Sequence, residues 1–116
     1  MQLPREVIVG RDTLKRIPEV LNRLKITGNA LIIAGKTSYE IAGEKVRDLI
    51  SQTGMAVDTF LVKKVTTKEV LMVEKQIENW KPSVVLAVGG GTKIDAAKLG
   101  SSCQGIPFIS IPTTLS

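Results

Sequence analysis

The run Val84-Val-Leu-Ala-Val-Gly-Gly-Gly-Thr-Lys-Ile-Asp-Ala-Ala-Lys98 restricts the fold of this chain more than any other segment. Val84 to Val88 are five apolar residues in a row, the pattern of a strand buried on both faces. Gly89, Gly90 and Gly91 then remove every side chain from the turn. A helix is expected to open at once, with Thr92 as N-cap and Asp95 three residues on as the acidic partner of a capping box. Strand, glycine turn and helix N-terminus together offer bare backbone N–H groups at the positive end of a helix dipole, a geometry that binds phosphate. Three adjacent glycines are entropically costly in any ordered turn, and close approach of a pyrophosphate explains that cost. The alternative is a glycine-rich turn that holds no ligand. The spacing matches neither G-x-G-x-x-G nor the P-loop G-x-x-x-x-G-K-[ST].

The rest of the chain repeats the same alternation. Strands are expected at Val7–Val9, Asn29–Ala34, Val57–Val62, Val84–Val88 and Pro107–Ile111. Helices are expected between them. The first carries Leu14, Ile17, Leu21 and Leu24 on one face, with Pro18 marking where the helix proper begins. The second runs to about Gln52, capped by Thr37 or Ser38, with Ile41, Val46, Leu49 and Ile50 inward. The third runs from Lys68 to about Trp80, capped by Thr67, with Val70, Val73 and Ile77 inward and Pro82 enforcing its end. The fourth runs from the glycine turn to about Ser102. Such alternation implies an α/β, Rossmann-like, mainly parallel sheet with helices on both faces. Ligands of such sheets bind beyond the carboxyl ends of the strands. Three loops should gather there: Gly35-Lys-Thr-Ser38, Gly89-Gly-Gly-Thr-Lys93 and Pro112-Thr-Thr-Leu-Ser116.

Composition narrows the chemistry. With 116 residues and 43% hydrophobic content, the chain can build one core. Aromatics are only 3%, so Val, Ile, Leu and Ala must fill it. There is one cysteine, Cys103, and no histidine. An internal disulfide is impossible, and His-dependent nucleophilic catalysis or a Cys/His zinc site is not expected from these residues. Cys103 reads as a small buried residue near a helix end, since no histidine is there to activate it. A net charge of +5, spread along the chain, favours anionic ligands in general. Basic residues are not interleaved with aromatics, so nucleic acid is not an expected partner. No stretch approaches a membrane span, and the N-terminus lacks a signal-peptide pattern; a cytoplasmic protein is expected.

Two segments carry a resemblance: Gly89-Gly-Gly-Thr-x-x-Asp95-x-x-Lys98, and Pro107-Phe-Ile-Ser-Ile-Pro-Thr-Thr-Leu-Ser116. Together they resemble the N-terminal region of the iron-containing alcohol dehydrogenase and dehydroquinate synthase superfamily. Leu3-Pro-Arg-Glu-Val-Ile-Val-Gly10, the Ala34-Gly-Lys-Thr37 turn and the Ser110–Ser116 ending are most similar to the sn-glycerol-1-phosphate dehydrogenases within it.

The resemblance spans essentially the whole chain. It implies that residues 1–116 are an N-terminal dinucleotide-binding domain, a fragment of a longer enzyme using NAD or NADP. Gly89, Gly90, Gly91, Thr92 and Lys93 would hold the pyrophosphate. Asp95 would bond the cofactor ribose as well as cap its helix, or cap alone. Lys98 would be a structural cation, not a cofactor contact. Thr113, Thr114 and Ser116 would lie near the nicotinamide, unless they form an ordinary polar turn.

The turn after the second strand is Gly35, Lys36, Thr37, where NAD-selective folds often carry a carboxylate for the ribose 2′-hydroxyl. No acid there repels a 2′-phosphate. Lys36 either attracts one or is a plain surface lysine, and NADP is expected to be accepted at least as well as NAD.

The resemblance places no catalytic and no metal-binding residue in this chain. A helical C-terminal domain, with no counterpart here, would supply a divalent metal such as zinc and most of the substrate pocket. The implied reaction interconverts dihydroxyacetone phosphate and sn-glycerol 1-phosphate in archaeal membrane-lipid synthesis, and the fragment alone should not turn over. A glycerol or other polyol dehydrogenase, a dehydroquinate synthase, or a free-standing nucleotide-binding module are the alternatives. Exposed strand edges would allow self-association into a homo-oligomer.

Overall fold

Strands that are apolar at every position belong in the middle of a parallel sheet, where helices cover both faces. A computed structural model, which describes residues 6–63, 66–90 and 106–113, places them so. Five strands, β1 (Glu6–Ile8), β2 (Asn29–Ala34), β3 (Ala56–Leu61), β4 (Val84–Gly89) and β5 (Phe108–Pro112), form one sheet in the order β1-β5-β4-β2-β3. Every pairing is parallel. All six residues of β4 are buried, as are five of the six in β2. The edge strand β3 is half-exposed along its length, and it carries the polar Asp58 and Thr59.

Alternate side chains divide between two cores. Ala30, Ile32, Ala34, Leu86, Val88, Ile109 and Ile111 meet Ile17 and Leu21 of α1 (Ile17–Arg23) and Val46 and Ile50 of α3 (Glu44–Ser51). Leu31, Ile33, Val85, Ala87 and Phe108 meet Val73 and Ile77 of α4 (Thr67–Trp80). The connections β1 to β2 and β2 to β3 step one way along the sheet, and β3 to β4 steps back. Right-handed crossovers therefore put α1 and α3 on one face and α4 on the other.

Local chemistry sets the element ends. Residues Arg11–Arg16 form a 3-10 turn that leads into α1. Pro18 lies in the first turn of α1, where its missing N–H costs nothing. Thr66, not Thr67, caps α4: its extended backbone lets Oγ1 accept the Glu69 N–H at 3.1 Å. At the far end Trp80 pins α4 to the sheet. Its indole N–H donates to the Ala30 carbonyl and its own carbonyl accepts from Asn29 Nδ2, both at 3.1 Å. Val73 and Ile77 are buried as expected, whereas Val70 is only half-buried.

Three strands shift by one residue from the expected bounds. β1 is Glu6–Ile8, although Val9 continues the ladder by donating to the Ser110 carbonyl at 2.8 Å. β3 is Ala56–Leu61, and Val62 likewise donates to the Ala34 carbonyl at 2.8 Å. β5 is Phe108–Pro112.

The helical run after β2 differs more. It comprises α2 (Lys36–Ser38), a π-helical stretch (Tyr39–Gly43) and α3. Neither Thr37 nor Ser38 caps it. Gly35 is the extended residue at its start, and the Gly35 carbonyl accepts the Tyr39 N–H at 2.9 Å. The wider π turn rotates the residues before Glu44 relative to those after it. Ala42 is inward with Val46 and Ile50, at i, i+4 and i+8 spacing, whereas Ile41, expected inside, stands five residues before Val46, off that stripe, and is 48% exposed. The fourth expected helix lies outside the described residues.

Candidate functional site

β2 leads away to β3 on one side and β4 leads away to β5 on the other, yet β2 and β4 are neighbours. The direction of winding reverses between them. In a doubly wound sheet that is the crevice where ligands bind, at the carboxyl ends of the strands. Ala34 pairs with Val88, so Gly35 and Gly89 leave the sheet side by side. On the other side Gly89 pairs with Pro112, and its carbonyl accepts the Thr113 N–H at 3.2 Å. The starts of all three expected loops thus stand at one end of the sheet, in adjacent strands.

Gly89 is buried and has φ +148°, a conformation that L side chains rarely adopt. A glycine is required here by the backbone itself, not only by the space around it. Gly35, in ordinary extended geometry, is also buried. The floor between β2 and β4 is consequently main chain, without a Cβ, at both strand exits. Gly90 and Thr113 are half-buried above it, and Lys36 and Thr37 are exposed. Gly91, Thr92, Lys93, Asp95, Lys98, Cys103, Thr114 and Ser116 lie outside the described residues.

On the β3 side of the crevice is a cleft of about 460 Å³, lined by Gly35, Lys36, Thr37, Leu61, Val62 and Lys63. Sequence reasoning assigned the first three and missed the last three. Lys63 was legible only as the polar exit of β3. Its role depends on β3 pairing with β2, which no local pattern announces.

Arg47 is the other notable cation nearby in sequence. Its guanidinium donates to the Tyr39 hydroxyl at 3.4 Å, which holds its pKa above the ordinary value. Arginine is charged at every working pH in any case, so this contact makes no pH switch. Among the described residues no three His, Cys, Asp or Glu side chains gather as a metal site. What the described site offers is a glycine floor, backbone amides and two lysines, a set suited to an anionic, elongated ligand and not to bond-making chemistry of its own.

Known proteins share this fold. A family model described as iron-containing alcohol dehydrogenase matches residues 8–116. The chain belongs to that family. It is 41% identical over 116 residues to the glycerol-1-phosphate dehydrogenase (NAD(P)+) of Methanosarcina mazei, covering 100% of this chain and 33% of the relative. It is 44% identical over 119 residues to the enzyme of the same name from Thermococcus kodakarensis, again with 33% of that protein covered. The chain therefore spans about a third of the length of the curated relatives it matches.

Among solved structures, glycerol dehydrogenase from Schizosaccharomyces pombe superposes with TM-score 0.81 at 27% identity, over 95% of this chain and 28% of that one. A sulfoacetaldehyde reductase from Bifidobacterium kashiwanohense, solved in complex with NAD+, superposes with TM-score 0.75 over 98% of this chain and 35% of that one. At 20% identity this second likeness speaks for the fold alone. Among the described residues no helix is long and apolar enough to cross a membrane.

Proposed function

We propose that this family member is the dinucleotide-binding part of an NAD(P)-dependent sn-glycerol-1-phosphate dehydrogenase. The observation that carries the reading is the pair of glycine exits, Gly35 and Gly89, side by side at the switch point, with Gly89 in a glycine-only conformation. That floor fits a pyrophosphate, whose oxygens need close approach to main-chain amides. In this reading Gly89, Gly90, Gly91, Thr92 and Lys93 hold the pyrophosphate, and Asp95 bonds a cofactor ribose. Thr113, Thr114 and Ser116 lie toward the nicotinamide, and Gly35, Lys36 and Thr37 toward the adenosine. With no carboxylate in the turn after β2, NADP is accepted at least as well as NAD.

When bound, the dinucleotide supplies the hydride chemistry. The residues of this chain bind and orient it: the rigid, fully buried β4 sets the height of the glycine turn, and the Thr113–Gly89 bond ties the third loop to it. No residue described here moves a proton. In this reading a divalent metal would polarise the substrate carbonyl, and residues other than those described here would hold it and dihydroxyacetone phosphate. The same reading makes the protein cytoplasmic, and a homo-oligomer through its strand edges.

A reductase assay on the protein carrying this chain, with NADH or NADPH, tests the proposal. Consumption of reduced cofactor with dihydroxyacetone phosphate, yielding the sn-1 product and abolished by a chelator, supports it. Turnover of unphosphorylated dihydroxyacetone in preference sinks it in favour of a polyol dehydrogenase, the reading that the structural likeness to glycerol dehydrogenase favours. Tight NAD+ with negligible NADP+ binding would remove the dual-cofactor part alone.

A further inference from the structure

The cleft beside the β2 exit has a second cation that the cofactor reading above does not use. We propose that Lys63, delivered from the end of β3, acts together with Lys36 as a specificity-determining pair for a phosphomonoester on the adenosine ribose of the dinucleotide. The inference rests on reading the β2–β4 crevice as a dinucleotide site.

The argument begins with register. β2 and β3 stay paired to their last residues, Ala34 with Leu61, and the Val62 N–H extends the ladder to the Ala34 carbonyl. Lys36 and Lys63 each stand two residues beyond that final pair. Neighbouring strands run about 4.8 Å apart. Two flexible lysine stems therefore leave adjacent strands at the same level and border one cleft of about 460 Å³.

The chemistry of the lining is one-sided. Leu61 and Val62 are apolar, Thr37 offers a hydroxyl, and among the described residues no carboxylate lines the cleft. A ribose 2′-hydroxyl is bound best by an acceptor, and a carboxylate supplies that in NAD-selective folds. An ammonium group has donors only. It matches a phosphate, which brings acceptor oxygens and close to two negative charges near neutral pH.

Both lysines are exposed and uncommitted. The ion pairs among the described residues are Arg16–Glu19 and Arg23–Glu19, and neither involves Lys36 or Lys63. On its other side Lys63 borders a depression with Thr66, Lys68, Glu69 and Met72. Glu69 is the carboxylate that competes for Lys63, but it makes no ion pair with it, and its backbone N–H is committed to Thr66. Lys68 beside it offsets its charge.

Exposed single charges act weakly, so each lysine should contribute a factor of about two to five and the pair more. The test is calorimetric titration of the intact protein carrying this chain with NAD+, NADP+, AMP and adenosine 2′,5′-bisphosphate. In Lys63→Gln the NADP+ and bisphosphate affinities are expected to fall about two- to fivefold, with NAD+ and AMP unchanged. Lys63→Arg should restore them, and the steep salt dependence of NADP+ binding should flatten in Lys63→Gln.

Surface substitutions of this kind leave folding intact. Equal losses for phosphorylated and unphosphorylated ligands, or no loss for either, would overturn the role of Lys63 and leave the crevice reading standing. If the unmutated protein bound none of the four ligands, the crevice reading itself would fall, and this inference with it.

Discussion

Gly89→Ala is the sharpest perturbation the structure offers, because its two consequences can be separated. Gly89 has φ +148° and its carbonyl accepts from Thr113. A Cβ leaves two options. Either the backbone holds its geometry and stores about 1–3 kcal/mol of strain, or it rotates, sacrifices the Thr113 bond at about 0.5–1.5 kcal/mol, and displaces the turn. Stability falls by about 1–3 kcal/mol on the first route and about 0.5–1.5 kcal/mol on the second, and each kcal/mol lowers Tm by roughly 2–8 °C depending on the size of the cooperative unit. The new methyl also stands on the floor of the crevice, so dinucleotide affinity should fall by at least about tenfold, or ~1.4 kcal/mol.

Gly54→Ala is the control. Gly54 also has a positive φ, +90°, but nothing lies within 4 Å of an added Cβ and it sits far from the crevice. It should cost about 1 kcal/mol of backbone strain with cofactor binding unchanged. Thermal melting and dinucleotide titration of both variants complete the experiment. If Gly89→Ala melted like the parent, the backbone argument would be wrong. If it were destabilised but bound dinucleotide normally, the crevice would not be the ligand site.

Other expectations concern the scaffold. Thr66→Ala deletes the cap on α4 and should cost about 1 kcal/mol, seen as a lower denaturation midpoint with no change in cofactor affinity. Trp80→Phe removes the bond to the Ala30 carbonyl and should cost about 1–2 kcal/mol; an unchanged midpoint would mean that water replaces the indole. Ile32→Ala, at a position with no exposure on the middle strand β2, should cost about 2–5 kcal/mol. Ser110→Ala should go the other way. Ser110 is only 4% exposed and its hydroxyl has no hydrogen-bond partner among the described residues, so removing it should leave stability equal or higher by about 1 kcal/mol. A clear loss on melting would reveal a partner for that hydroxyl.

Much of the architecture is written locally. The apolar runs Ala30–Ala34 and Val84–Val88 announce buried parallel strands because a strand covered on both faces has no polar side to show. Pro18 and Pro82 punctuate helices through their own covalent geometry, and the glycine run announces a turn stripped of side chains. The family, too, is legible in short motifs. Local pattern erred at the ends and faces of helices. The sequence points to Thr67 as the cap of α4, but Thr66 is the residue with extended backbone at its start and takes that place. Ile41 groups with Val46, Leu49 and Ile50 by its apolar character, but helical spacing puts Ala42, not Ile41, on their stripe.

The strand order β1-β5-β4-β2-β3 belongs to the tertiary structure alone. An apolar strand is equally content beside any other, so its sequence does not name its neighbours. Yet that order makes Gly35 and Gly89 adjacent and brings Lys63 to the cleft of Lys36. Sequence by itself determined that this chain forms alternating strands and helices with glycines at two strand exits. Only the packing of those elements decided which loops share one floor, because helix placement and crossover handedness act on whole elements, not on individual residues.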